Sequence, residues 1–316
     1  MVLKQEAVET RFQALADSTR ANLVTQFKAY LMFCCYFGLQ AKPFVEENLV
    51  VYIQFLARSF KSPQSVKNYV YGLQTLARLH SWQFPDLSQP QFTYQFKGIS
   101  RILCHAPQRA HPLSPVIFMK LLEFFNLQDP YEATMWSVMI LGFLMFARIS
   151  NLLPDSNVSF DPFRQLTRGD VRVAYNAIVL VVKWTKTIQF GQRKLLIPLH
   201  VIPNSPLCPK TSLLRSVKLS PGASHHHLFA YGPHMSLISR SEFTRFLRKK
   251  LSQAGFDAQK FSGHSLRRGG ATWAFSQGIP ADLIKVHGDW ASEAYRSYLE
   301  FSLDDRLRTT SLMFPS

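Results

Sequence analysis

His264 and Arg267 stand three positions apart in Gly263-His264-Ser265-Leu266-Arg267-Arg268-Gly269-Gly270. On a helix that spacing puts an imidazole and a guanidinium on one face. Arg268 is turned about 100° away from Arg267 and should face elsewhere. Trp290 and Tyr298 follow in Gly288-Asp289-Trp290-Ala291-Ser292-Glu293-Ala294-Tyr295-Arg296-Ser297-Tyr298. An imidazole, a guanidinium, an indole N–H and a phenol can together hold a phosphodiester and attack it without a metal. Each has an ordinary alternative: a polar pair at a helix end for the first two, core aromatics for the others.

Two further cations sit in unusual settings. Arg148 follows an apolar run from 133 to 147, where a guanidinium is costly unless it meets an anion, pairs with a carboxylate or reaches water. Lys186 lies in Lys183-Trp184-Thr185-Lys186-Thr187, between two β-rich runs at 177–184 and 194–199. Those runs predict a hairpin with an extended turn, and a lysine there can be carried into a cleft or simply solvated.

The elements around these residues read mainly as helix. Apolar periodicity predicts helices starting near Asp17, over 46–58, after Ser62-Pro63 and over 91–103. Ser114-Pro115 opens a long helix expected to reach Arg148, and Leu152-Leu153-Pro154 ends it. The stretch 104–112 loses periodicity and reads as a linker. Ser239 and Glu242 have capping-box spacing, and Gly255 marks the end of the helix they start. Gly269-Gly270 would let a helix approach a neighbour closely.

Charge narrows the partner. Thirty-six Lys and Arg against 20 Asp and Glu leave a net charge of +16, which favours a polyanion such as nucleic acid. Lys67, Lys97 and Arg101 in the first hundred residues, and Arg245, Arg248, Lys249 and Lys250 after Ser241, are candidate phosphate contacts; a solvated helix face is the alternative for each. The four cysteines form no CxxC pair and read as buried free thiols in a reducing compartment. No metal site is expected, and His225-His226-His227 reads as a flexible loop. No signal core or bilayer-length apolar segment is seen, so the protein is expected to be soluble and intracellular, with no membrane partner.

The order Arg148, Lys186, His264, Arg267, Trp290, Tyr298, with its local wording, resembles the tyrosine recombinase (phage integrase) family across essentially the whole chain. Arg148-Ile149-Ser150-Asn151-Leu152-Leu153 is similar to that family's first arginine motif, Thr185-Lys186-Thr187 to its β-hairpin lysine, and His264-Ser265-Leu266-Arg267 to its His-x-x-Arg box. Trp290 stands where the family has His or Trp, and Tyr298 at the nucleophile position, with Tyr295 one turn earlier as a competitor. Asn151 departs from the Glu common in bacterial members. The wording resembles eukaryotic mobile-element members of the DIRS, Ngaro and Crypton groups.

The resemblance implies a mainly α fold with a small β-sheet or hairpin. It implies a two-domain C-shaped clamp: a helical core-binding (DNA clamp) domain over 1–105, a linker over 106–113, a mixed α/β catalytic domain over 114–300 and a subunit-contact tail over 301–316. The implied activity is site-specific DNA recombination through a 3′-phosphotyrosyl intermediate. It needs no cofactor, metal or ATP and takes no small-molecule substrate. The implied partners are double-stranded DNA and three further copies of the chain in a homo-tetramer, with a free monomer and a nuclear location. The competing readings are a domesticated non-catalytic DNA-binding protein and a type IB topoisomerase-like strand transferase.

Overall fold

Apolar residues at three- and four-residue spacing fold the first hundred residues into five helices in a computed structural model: α1 (Val2–Gln13), α2 (Asp17–Tyr36), α3 (Glu46–Ser59), α4 (Pro63–His80) and α5 (Pro90–Leu103). The structure describes residues 2–105 and 109–299, together with Leu303, Leu307 and Met313. The chain divides into two units, Met1–Gln108 and Arg109–Ser316, and that division falls inside the expected linker. In the first unit Tyr30, Leu49, Tyr52, Ile53, Val66, Val70, Leu73 and Phe92 form the core. Pro63 and Pro90 sit at helix starts, where the missing N–H costs nothing.

The second unit begins with a break that the periodicity conceals. Two helices, α6 (Pro115–Leu122) and α7 (Pro130–Leu144), replace the single long one expected from Ser114 to Arg148. Ser114 Oγ accepts from the Ile117 N–H (3.3 Å) and Asp129 Oδ2 from the Glu132 N–H (2.8 Å), so each helix has its own cap. Pro130 has no N–H to continue an incoming helix. At its other end α7 stops because Phe146 turns left-handed, with φ at +48°. Arg148 therefore precedes a short new helix, α8 (Ile149–Leu152).

Three antiparallel strands follow in the order β1 (Val171–Val173), β2 (Ala177–Val182), β3 (Leu195–His200), with Val182 opposite Leu195 and Val171 opposite Leu180. The hairpin of β2 and β3 matches the sequence expectation. β1 adds a third strand, too short to show an alternation. The remaining helices are α9 (Pro209–Leu219), α10 (Arg240–Gln253), α11 (His264–Ser276) and α12 (Ala281–His287), with a 3₁₀ turn over Glu293–Tyr298. The predicted capping box at Ser239 and Glu242 starts α10.

Trp136, Leu141, Phe118, Phe229, Phe243 and Leu266 centre the core of this unit. Helix α11 is pressed into it at the glycine pair: a Cβ on Gly269 would lie 2.0 Å from the Leu113 carbonyl oxygen, and one on Gly270 would lie 2.1 Å from that of Phe143. A smaller cluster of Phe146, Ala271, Ile284, Trp290, Tyr295 and Leu299 lies alongside. No helix among the described residues is long and apolar enough to cross a membrane.

Two expectations are corrected. Cys34 and Cys208 are buried, but Cys35 and Cys104 are exposed. Adjacent residues on a helix diverge by about 100°, so Cys34 and Cys35 cannot both face the core. His227 belongs to no flexible loop. It is 1% exposed, packs edge-on against Phe160 and pairs with Thr167 in a β-bridge. Its Nδ1 accepts from the Phe229 N–H at 3.2 Å, which requires a neutral ring.

Burial, aided by the Arg168 charge, pushes the His227 imidazole down to about 4. The unfolded chain would protonate it near pH 6.5, so stability is fully present above that pH and falls as the pH drops toward 4. This residue should cost about 3 kcal/mol over that window. Urea titrations at several pH values should show the slope in the wild type and a flatter one in His227→Asn.

Candidate active site

Arg267 organises the site. Helix α11 enters the core on the Gly269-Gly270 face, so its first turn carries Arg267 inward until the residue is 2% exposed. Its Nη1 donates to the Phe146 carbonyl oxygen, which the left-handed turn after α7 aims toward it. The face of Trp290 lies against the guanidinium, 3.6 Å from its central carbon, and the Tyr298 ring centroid is 5.6 Å away. Nε and Nη2 make no well-aligned hydrogen bond among the described residues, although the Tyr298 side chain lies within hydrogen-bonding reach of the guanidinium. Burial lowers the affinity of this guanidinium for its proton, and the charge of Arg148 adds to the effect. Tyr298 and Asp289 oppose it. Arginine is too basic to escape by deprotonation, so the site favours an anion.

Arg148 precedes α8, half-buried, and lines a small cavity with Asn151, Thr185, Arg267 and Asp289. His264 is the first residue of α11, with an edge open to solvent. Desolvation by the surrounding protein, with the positive charges of Arg267 and Arg148, holds its imidazole below the usual range. A neutral imidazole near pH 7 can accept a proton.

The indole of Trp290 was expected to donate to a bound anion. The structure shows its ring stacked on Arg267, a cation–π contact that holds the guanidinium in place. Gly288 makes room for it, since a Cβ there would come within 1.6 Å of the Trp290 ring. The two tyrosines separate clearly. Tyr295 is 2% exposed and belongs to the apolar cluster, whereas Tyr298 is half-buried at the end of the 3₁₀ turn, beside Arg267 and Trp290. Thr272 Oγ donates to the Tyr298 carbonyl at 2.7 Å and ties that turn to α11.

Lys186 is exposed on a tight turn closed by a bridge between Thr185 and Ile188. Two anchors hold that turn. Asn151 Nδ2 donates to the Trp184 carbonyl at 2.8 Å. Asp289, with φ at +52° and 7% exposed, accepts from Thr185 Oγ1 (2.5 Å), from Thr187 Oγ1 and from Arg193 Nη2 (2.5 Å). Burial opposes ionisation of Asp289, but these three donors and the Arg193 charge outweigh it and keep the carboxyl below its usual range. Asp289 and Arg193 were not foreseen from the sequence. The only signal was the position of Asp289 between Gly288 and Trp290. His287, also unforeseen, has Nε2 2.7 Å from the Leu144 carbonyl oxygen and packs on Phe146.

The candidate phosphate contacts divide by exposure. Lys97 and Arg101 are exposed on α5, and Lys67 is half-buried on α4 with its ammonium 6.0 Å from the Phe96 ring centroid. Arg245 and Lys249 are exposed on α10. Arg248 is half-buried, and its Nε donates to the Phe261 carbonyl (3.0 Å), steadying the segment before His264. Lys250 is buried, donating to Phe124 O at 2.5 Å and pairing with Glu132 at 2.7 Å, so it serves the core.

No protein-family model matches the chain, and no curated protein matches it in sequence. Solved structures do match its fold. One is the XerH site-specific recombinase bound to a palindromic difH substrate in a post-cleavage complex, 15% identical over 94% of this chain and 79% of that one, with a TM-score of 0.63. Another is the Tn1549 transposon integrase in complex with transposon right-end DNA, 9% identical over 98% and 99%, with a TM-score of 0.62. A third is a lambda integrase dimer bound to a COC′ core site, 15% identical over 97% and 95%, with a TM-score of 0.58. The chain has the fold of these tyrosine recombinases.

A buried guanidinium whose donors are only partly met lowers stability. Arg267→Met should therefore stabilise the free protein by roughly 1–3 kcal/mol in urea unfolding. Sulfate should raise the melting temperature of the wild type more than that of the variant.

Proposed function

We propose that this protein is a site-specific DNA recombinase that cuts and rejoins DNA through a covalent phosphotyrosyl link. The observation that supports it most is the pairing of Arg267, buried with Nε and Nη2 lacking well-aligned acceptors, with a second guanidinium at Arg148 and a phenol within reach. Two forked cations held together against their mutual repulsion suit a non-bridging phosphate pair. The net charge of +16 suits the rest of a duplex.

The chemistry follows from the residues. A phenol with a pKa near 10 is a weak nucleophile at pH 7, and the phosphodiester repels it. Arg148 and Arg267 lower both barriers by stabilising phenolate and the extra charge of a pentacoordinate phosphorus. Tyr298 Oη attacks phosphorus and passes its proton to His264. The bond from phosphorus to the 5′-oxygen breaks, and Lys186 protonates the leaving oxygen. The product is a 3′-phosphotyrosyl link and a free 5′-hydroxyl. Religation reverses each step, so bond energy is conserved without ATP. Trp290 holds Arg267 by its face. In this reading the exposed Lys97, Arg101, Arg245 and Lys249 contact phosphates outside the cleavage site, in nuclear DNA, during integration or excision of a mobile element. A named neighbour that is a transposon integrase in complex with transposon-end DNA is consistent with that role.

Strand exchange needs two duplexes and four copies of the site, so a homo-tetramer on DNA is part of the proposal. The second unit carries an apolar groove of about 600 Å³ whose exposed lining includes Leu196, Trp273, Ile279, Leu283 and Val286. The proposed occupant is the 301–316 segment of a neighbouring copy. Leu303, Leu307 and Met313 of that segment are exposed, while Phe301 and Leu312 lie outside the described residues.

A nicked suicide duplex carrying the element terminus should trap a covalent protein–DNA adduct with wild type and Tyr295→Phe but not with Tyr298→Phe. Absence of a wild-type adduct would remove the catalytic reading, and site-independent relaxation of supercoiled plasmid would favour a topoisomerase. Deleting residues from Ser302 onward should preserve cleavage while reducing strand exchange at least about tenfold, in line with the loss of an apolar anchor. Equal loss of both activities would argue against the subunit contact.

A further inference from the structure

Asp289 makes no direct contribution to the proposed chemistry, yet it is the most heavily engaged carboxylate of the site. Its two oxygens accept from three side chains: Thr185 Oγ1 at 2.5 Å and Thr187 Oγ1 on one oxygen, Arg193 Nη2 at 2.5 Å on the other. All three donors belong to the connection between β2 and β3, and two of them flank Lys186. The two threonine hydroxyls also meet each other at 2.9 Å, and the Thr187 N–H donates to Thr185 Oγ1 at 3.1 Å. The turn that carries Lys186 is thus folded around one buried carboxylate. That carboxylate is the residue before Trp290, which stacks on Arg267.

The alternative tether is weaker. Asn151 reaches the same connection through one neutral hydrogen bond to Trp184 O, and its own Oδ1 has no partner among the described residues. A charged acceptor binding several donors in a buried setting holds geometry more firmly than one amide contact. Asp289 also pays for a left-handed backbone at φ +52°, a conformation that few non-glycine residues adopt. The latch therefore occupies a position where glycine would be the unstrained choice.

We infer that Asp289 is a positioning residue for Lys186: it latches the β2–β3 turn to the loop bearing Trp290, so that the leaving-group acid and the phosphate-holding arginine are set against each other by one carboxylate. The inference rests on the recombinase reading above. It predicts a defect that falls mainly on protonation of the leaving oxygen, which a general structural role would not produce.

The test uses two suicide duplexes with the full chain: the ordinary phosphodiester, and one whose 5′-bridging oxygen at the cleavage site is sulfur. A thiolate leaves without being protonated, so a missing acid ceases to matter. Lys186→Ala, Asp289→Ala and Thr187→Val should each form adduct more slowly on the oxygen substrate, by roughly 10- to 100-fold for the first two and less for the third. On the sulfur substrate all three should return to near the wild-type rate. Thr187→Val preserves shape on a half-buried turn and keeps the test open if Asp289→Ala does not fold. If Lys186→Ala is rescued by sulfur while Asp289→Ala and Thr187→Val stay slow on both substrates, Asp289 does not act through Lys186 and the inference falls. It falls also if sulfur fails to rescue Lys186→Ala. A wild type that forms no adduct on either substrate removes the recombinase reading itself.

Discussion

The burial of the Arg267 guanidinium is the constraint on which this site depends. A cation removed from water must be held, and here the holders are a backbone carbonyl and an aromatic face rather than a carboxylate. The carbonyl of Phe146 is available because α7 ends in a left-handed turn at that residue. The indole of Trp290 is available because Gly288 leaves room beside it. Helix α11 can bring the arginine so deep because Gly269 and Gly270 remove the side chains that would strike Leu113 and Phe143. Backbone choices in three separate segments converge on one side chain.

Leaving Nε and Nη2 of that arginine without well-aligned acceptors destabilises the free protein, and placing Arg148 nearby destabilises it further. Both costs become gains when an anion is bound. The same electrostatics keep the imidazole of His264 neutral near pH 7 and so able to accept a proton. Preorganisation of this sort requires a well-packed scaffold, and the buried run along α7 provides it.

The hairpin connection is held from two sides, by an amide and by a carboxylate. Asn151, three residues after Arg148, contributes one neutral contact to the hairpin connection. Asp289 contributes the charged one from the opposite side, and its negative charge also moderates the field around Arg267. A site built from three cations, a neutral imidazole and a phenol thus gains, among the described residues, a single buried counter-charge placed where it orders a loop.

The sequence alone determined the chemical inventory and its order: His264 and Arg267 at helical spacing, Arg148 after an apolar run, Lys186 between two β-rich segments, and Trp290 before Tyr298. It also determined most helices, because apolar periodicity, proline at helix starts and the Ser239–Glu242 box are local signals. It did not show the break between α6 and α7, because an apolar pattern continues through it and only the cap at Asp129 with Pro130 marks it. Nor did it show β1, whose three residues are too few to alternate. Tertiary structure alone separated the surroundings of Tyr295 and Tyr298: both are local aromatics, and only packing buries one in the apolar cluster and leaves the other beside Arg267. It alone laid the Trp290 ring against Arg267 and brought Asp289 to Thr185, Thr187 and Arg193. Those contacts span about a hundred residues of chain, and no local spacing encodes them. They exist because a close helix crossing and a left-handed turn bring distant segments to one place.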